Sequence, residues 1–330
     1  MSCTIIDACK ALLIAMLAAH SFDAHAQDYP DRPIRFVIPY PPGGASDITA
    51  RILAPRLSDL LGKNVVTDNR GGANGIIGLS LVAKARPDGY TILMGNAGPN
   101  AMNPSIYKTL PYDPLNDFET VTLTAIVPQI AVVHPSINVS TVKELITLAK
   151  AKPGTLSYGS AGIGSSNHLS VELLKSMTGI SLVHVPYKGT APGMNDLVAG
   201  QIPIMFPTAL SGMPFVKTGR LKAIGVTSAQ RIPSLPDVPT IAEAGVSGYE
   251  ASSWGGIMVP AKTPKSIISK LHVVTVKALA LPEVKERLIG LGADVKTSTP
   301  EEFKAYLRAE IDKWRKVARF ANISVDSEQP

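Results

Sequence analysis

Residues 34–56 read IRFVIPYPPGGASDITARILAPR, and the fold of the chain turns on how they are read. The first five have strand character and run into a Pro/Gly turn, after which apolar residues fall at helical spacing at Ile48, Ile52, Leu53, Leu57, Leu60 and Leu61. A strand, a glycine loop and a helix start leave the first backbone N–H groups of the helix without partners. They point, with the positive end of the helix dipole, at whatever lies above the strand. Such a junction favours an anion.

Outward from it, strands are expected near 64–68 and 90–94, roughly thirty residues apart as βαβ units require. A helix between them opens near Asn74 and closes at Arg86-Pro87-Asp88-Gly89. Residues 99–114 are turn-rich and are expected to cross the surface. Residues 120–133 form a long β-branched run broken by Pro128, read as a crossing into a second lobe. There a new α/β series begins: a helix from Thr141 with a Thr141/Glu144 cap, strands at 156–160, 182–186, 202–206 and 221–227, and helices at 165–177, 191–199 and around 213–218. Residues 249–260 look like a return strand. Helices follow at 264–280, 282–290 and from Thr299, the last with a Thr299/Glu302 cap, Pro300 in its first turn and an Asp312/Lys316 pair; 293–297 can add an edge strand. The layout is a leader at 1–26, a discontinuous first lobe (27–127 and 231–330) and an inserted second lobe (128–230).

The second lobe repeats the opening junction in residues 156–177, LSYGSAGIGSSNHLSVELLKSM. Its strand ends in a glycine loop, and Ser165 and Ser166 are natural N-caps for the helix that follows. Ligands of parallel sheets bind beyond the carboxyl ends of the strands, so closing the lobes brings two helix starts to one cavity. A carboxylate there could be satisfied by backbone N–H groups and serine hydroxyls without an arginine. Other chemistries find little support. No dinucleotide G-x-G-x-x-G, Walker loop or G-x-S-x-G elbow is present, Ser140-Thr141-Val142-Lys143 reads as a helix cap, and no histidine has metal-ligand spacing. His168 in a loop-following first turn either bonds a ligand or faces solvent, and Asp47 either caps its helix or orients loop waters. Met205, Phe206 and Trp254 either wall an aromatic carboxylate or belong to the core.

The 330 residues, 45% hydrophobic and 18% charged, are those of a globular protein of two-domain size. At the N-terminus Lys10, an apolar run at 11–19 and Ala24-His25-Ala26 make a cleavable secretory signal, since the run is far short of the ~20 residues that span a bilayer. Both cysteines, Cys3 and Cys9, lie in it, so the mature chain has no disulfide, thiol nucleophile or thiolate metal site. The formal charge of +6 is scattered, without basic runs or aromatic interleaving, and gives nucleic-acid binding no support.

The motifs YPPGGASD at 40–47, NRGGANGIIG at 69–78, PDGYTILMGN at 87–96, YGSAGIGSSNH at 158–168, VPYKGTAPGMNDLVAGQI at 185–202 and SLPDVPTIAEAG at 234–245 together resemble the substrate-binding receptors of tripartite tricarboxylate transporters, the Bug family. The resemblance spans essentially residues 28–321. It implies an α/β periplasmic-binding-protein fold (type II-like) of two lobes, each a mostly parallel sheet flanked by helices, with two crossover strands as a hinge near 124–130 and 227–254. It implies a periplasmic, monomeric receptor that takes a small organic carboxylate to integral-membrane subunits, with no cofactor and no metal. By motif position it nominates Tyr40, Gly43, Gly44, Ala45 and Asp47 in the first loop, Ser160, Gly164, Ser165 and His168 in the second, and Asn74, Asn96 and Thr208 at other strand ends. Tyr40 stands where many members have Phe, adding a hydroxyl. Two other roles compete: a sensory partner of a membrane sensor, and a secreted hydrolase or lyase using His168 with a nearby serine.

Overall fold

The computed structural model describes residues 29–320 together with 323 and 324. The leader expected at 1–26, its cleavage site and both cysteines lie outside the described residues. The first part of the chain runs β1 (Ile34–Ile38), α1 (Ala45–Leu61), β2 (Val65–Asn69), α2 (Ile76–Ala83), β3 (Thr91–Asn96), α3 (Asn103–Ile106) and β4 (Phe118–Pro128). Next come β5 (Ile130–Val133), α4 (Val142–Ala151), β6 (Ser157–Ser160), α5 (Ser166–Thr178), β7 (Val183–Pro186), α6 (Thr190–Val198), β8 (Ile204–Met205), α7 (Ala209–Lys217) and β9 (Lys222–Val226). The last part is β10 (Ser252–Pro260), α8 (Lys265–Ala280), α9 (Pro282–Gly290), β11 (Asp294–Val295) and α10 (Pro300–Phe320).

Two sheets result, ordered β11-β4-β10-β3-β1-β2 and β7-β6-β8-β5-β9. Each is mixed rather than mostly parallel. β1, β2 and β3 are parallel, but β10 comes back between β3 and β4 without a crossover helix and is antiparallel to both. Likewise β6 is parallel to β7 and β8, whereas the entering β5 is antiparallel to β8 and β9.

Both faces of the first sheet are covered, which is why β1 reads as a continuous apolar run. Ile34, Phe36 and Ile38 pack with Leu53 and Leu57 of α1 and Leu271 of α8, while Val37 packs on the other face in the cluster that holds Leu93, Phe303 and Trp314. Each fully buried side chain of this size contributes about 1.5–3 kcal/mol of transfer free energy. Leu60 is the exception in α1 and stays 42% exposed. The second sheet is likewise two-sided: Ile130, Val132 and Met205 face Met194, Leu197 and Met213, whereas Ala131, Val133 and Ile204 face the cluster of Leu145 and Leu174.

The sheets are joined at Gln129, the single residue between β4 and β5. Thr227 on the second crossing receives the Gln129 N–H at 2.8 Å and donates to Gln129 Oε1 at 3.0 Å, tying the crossings together. Beyond it the chain departs from expectation. Residues 231–246, assigned from the sequence to the first lobe, stay with the second sheet: Thr240 bridges Val226, and Ile232 packs against Ile130 and Val226.

The 98–106 segment departs too. Instead of crossing the surface, Gly98–Met102 forms a wide π-turn that continues into α3, and residues 98–103 are buried. Asn side chains make this possible by satisfying polar groups inside: Asn100 Oδ1 accepts the Asn96 N–H at 3.0 Å, and Asn103 Oδ1 accepts from Asn74 Nδ2 at 2.7 Å. Both Thr-x-x-Glu caps form. Thr299 Oγ1 accepts the Glu302 N–H at 3.1 Å and Glu302 accepts the Thr299 N–H at 2.9 Å; Thr141 accepts the Glu144 N–H at 3.1 Å. Asp312 pairs with Arg315 at 2.8 Å rather than with Lys316.

Candidate functional site

The opening loop is held from below. Asp47, in the first turn of α1, is buried, and its carboxylate accepts from the Gly43 N–H at 3.0 Å, Arg51 Nε at 2.8 Å and Asn69 Nδ2 at 3.0 Å. With its acceptors so used, Asp47 shapes the loop rather than meeting the cavity. Asn69 Nδ2 also reaches the Tyr40 carbonyl at 2.9 Å. The Tyr40 hydroxyl donates to Asn74 Oδ1 at 2.5 Å, and burial pushes its phenol far above the usual range, so it serves as a hydrogen-bond donor at any accessible pH. Asn74 adopts a left-handed backbone (φ 47°) and links Tyr40 to Asn103.

The second loop is held in the same manner. Ser160 is fully buried; its Oγ lies 2.6 Å from His184 Nε2 and 3.1 Å from both the N–H and the carbonyl of Gly162. Ser165 caps α5 by accepting the His168 N–H at 3.3 Å, and His168 Nδ1 accepts the Gly164 N–H at 3.2 Å. His168 thus faces neither solvent nor the cavity, and its ring meets a backbone N–H where the hydrolase reading needs a serine hydroxyl. Burial first, then the nearby Lys175 cation, hold its pKa down at about 4, so it is neutral at pH 7.

Between the loops lies a cavity of about 30 Å³, room for roughly two water-sized groups. From the first-sheet side it is lined by Tyr40, Gly44, Ala45, Ser46, Asn96 and Ser253. From the second it is lined by Ala161, Ser165, Ser166, Asn167, Thr190 and Thr208. Four helices begin here: α1 after Gly44, α5 after Ser165, α6 at Thr190 and α7 after Thr208. The caps of α1, α6 and α7 make no side-chain hydrogen bond, so first-turn N–H groups stay open to a ligand. Each helix start carries up to about half a positive charge. The only titratable side chain in the lining is Tyr40. The arrangement suits an anion held by neutral donors, and among the described residues no cluster could hold a metal ion.

Six nominated residues therefore line the cavity: Tyr40, Gly44, Ala45, Asn96, Ser165 and Thr208. Gly43, Asp47, Asn74, Ser160, Gly164 and His168 lie behind it and set loop shape or the approach of the two sides. A Cβ on Gly43 would stand 3.1 Å from Ala191 Cβ, and one on Gly164 2.5 Å from Ile106 Cδ1. Ser211 Oγ donates across the gap to the Gly43 carbonyl at 3.3 Å. Ser46, Ala161, Ser166, Asn167, Thr190 and Ser253 were not nominated for the site from the sequence, Ser166 being read there only as an N-cap. Most adjoin nominated loop residues, and Thr190 follows a third strand–glycine–helix junction at Gly189, a signal legible in KGTAPG. Ser253 has no local signal, because its place depends on the return strand. Met205, Phe206 and Trp254 are core: Trp254 meets Phe303 edge-on at 5.4 Å, and the other two are buried within the second half.

A profile of the family described as tripartite tricarboxylate transporter family receptor matches residues 49–323. Protein BugT of Bordetella pertussis is 35% identical over 295 residues, covering 89% of this chain and 90% of that one. Among solved structures, an adipate complex of an R. palustris protein superposes with a TM-score of 0.88 at 39% identity, covering 90% of this chain and 99% of the other. MatC from Rhodopseudomonas palustris with bound malate gives 0.84 at 30% identity, covering 88% and 99%. The chain belongs to the tripartite tricarboxylate transporter receptor family of periplasmic solute-binding proteins.

Proposed function

We propose that this receptor captures a small aliphatic carboxylate, foremost a short dicarboxylate, between its two sheets. In this reading the ligand carboxylate takes the open N–H groups at the start of α1, the first N–H groups of α5 ahead of the His168 N–H that Ser165 caps, and the hydroxyls of Ser46 and Ser165. Thr190 and Thr208 approach from the remaining helix starts. The observation that carries the reading is the convergence of four helix starts on a cavity whose lining holds no cation. The malate and adipate found on relatives support the ligand class. The polar lining, with Trp254 and Phe206 withdrawn into the core, favours an aliphatic over an aromatic ligand.

The lobes divide at Gln129 and again near residue 250, and open and close about the Gln129–Thr227 clasp. The receptor works as a monomer in the periplasm after loss of residues 1–26, and delivers its ligand to integral-membrane transporter subunits. A thermal-shift screen of succinate, malate, adipate, citrate and benzoate tests the ligand class. A ligand at a hundred times its Kd stabilises by about 2.7 kcal/mol, so a dicarboxylate should raise Tm clearly and benzoate should not. Folded protein whose Tm is moved by none of the aliphatic acids contradicts the reading.

A further inference from the structure

The second glycine loop owes its shape to two histidines that do not touch the cavity. Tyr158 of β6 and His184 of β7 are register partners, and their rings stack with His168 from the first turn of α5. Centroids are 4.9 Å apart for Tyr158 and His184 and 4.1 Å for His184 and His168. At the top of the stack each imidazole holds one glycine: His184 through Ser160 to Gly162, and His168 directly through the Gly164 N–H. Both glycines have backbones that other residues rarely adopt, with φ of 125° and 79°. The arrangement is a shifted relative of the S-x-x-E/Q capping box: Ser165 accepts the His168 N–H, while the imidazole of His168 accepts the N–H of Gly164, one residue before the cap, and the Ser165 N–H goes to the Gly162 carbonyl.

We infer that His168 and His184 are positioning residues for ligand capture: as neutral rings they lock Gly162 and Gly164, and so aim the first N–H groups of α5 at the cavity. The inference rests on the carboxylate-binding reading above. A His168 protonated on Nδ1 has no acceptor for the Gly164 N–H, so the lock opens in acid. The charged and titratable groups facing the stack are Tyr158, Glu172 and Lys175. Glu172 Oε1 is engaged by the Tyr158 hydroxyl at 2.5 Å and Lys175 Nζ at 2.7 Å, and lies 4.0 Å from His168 Nε2. On the opposite side the atoms nearest to where a Cβ on Gly164 would stand belong to the uncharged Ile106, Asn74 and Asn103. Burial keeps both imidazoles neutral, with His168 at about 4 and His184 at about 3.

The test compares wild type with His168→Gln, which keeps an acceptor that does not titrate, and His168→Leu, which removes it. Kd for malate, succinate and adipate is measured at pH 7 and at pH 3.5, below the pKa of His168, and exchange of the Gly164 amide is followed by NMR without ligand. An unpartnered buried N–H is worth roughly tenfold or more. His168→Leu should weaken binding by that factor at pH 7 and speed Gly164 exchange to match, while His168→Gln stays within about threefold of wild type. Acidification should weaken wild type more than His168→Gln, the ligand's own protonation being common to both. If His168→Leu does not fold, Ser160→Ala tests the Gly162 half, with weakened binding and faster Gly162 exchange expected. Wild-type affinity and glycine exchange rates in His168→Leu, or in Ser160→Ala where His168→Leu does not fold, would overturn the inference. If no dicarboxylate binds wild type, the carboxylate reading fails, and the exchange measurements still decide whether the histidines lock the loop.

Discussion

Asp47 and His168 are two polar residues on glycine loops whose roles only their neighbours reveal. Each could touch a ligand by its place in the sequence, yet each spends its acceptors on the loop's own backbone. The ambiguity is physical, because a first-turn side chain reaches either outward to a ligand or back to the residues before the helix, and spacing is the same for both. Replacing Asp47 by Ala strands the Gly43 N–H and two side-chain donors. Charge-assisted bonds contribute about 1.5–3 kcal/mol each, so urea unfolding should show a loss of about 2–3 kcal/mol together with weaker ligand binding. A change below half a kcal/mol (about the scatter of surface substitutions) would show that the loop stands without it. The histidines also predict a pH dependence. Both have folded pKa values below the unfolded value, so between pH 6.5 and about 4 the unfolded chain binds more protons and stability falls as pH falls. For His168 the cost by pH 4 is at most on the order of 3 kcal/mol. Melting at pH 7 and 4.5 should show a larger acid loss in wild type than in His168→Gln, and equal losses would remove His168 from the acid response.

Among the elements, those with strong periodicity or a local cap were legible. β1, α1, α4, α5 and α10 form close to where apolar spacing and Thr-x-x-Glu place them. The buried turn at 98–106 was not, because Asn-Pro signals describe local backbone preference, while its burial comes from α10 packing over it. The strand directions also escaped, since a return strand's neighbours are not local information. Two substitutions test the element account. Thr299→Ala removes one half of the α10 capping box and should cost about 1 kcal/mol by denaturant unfolding. Gly256 of β10 lies under Phe303 of α10, where an added Cβ would stand 2.4 Å from Phe303 Cζ. Gly256→Ala should therefore cost about 1–3 kcal/mol, and a neutral result would show that α10 shifts freely on the sheet.

The whole molecule places strand ends and helix starts of two sheets on one cavity, with the connecting strands held together by Gln129 and Thr227. The two-lobed α/β plan and both glycine junctions were legible in the sequence, and the family resemblance named the fold that contains them. The extent of the second lobe was harder to read, because residues 231–246 lack strong periodicity and are placed by contacts with β9. If the lobes close on ligand, small-angle scattering should show a smaller radius of gyration with a bound dicarboxylate than without, and identical curves would contradict a hinge. The central claim is that neutral helix starts hold a carboxylate in this cavity. Isothermal titration calorimetry of the best dicarboxylate against its diamide, on the same protein, tests it most directly. The account predicts one-to-one binding of the diacid and none of the diamide; equal affinity for the two, or no binding of any aliphatic di- or tricarboxylate by folded protein, would contradict it.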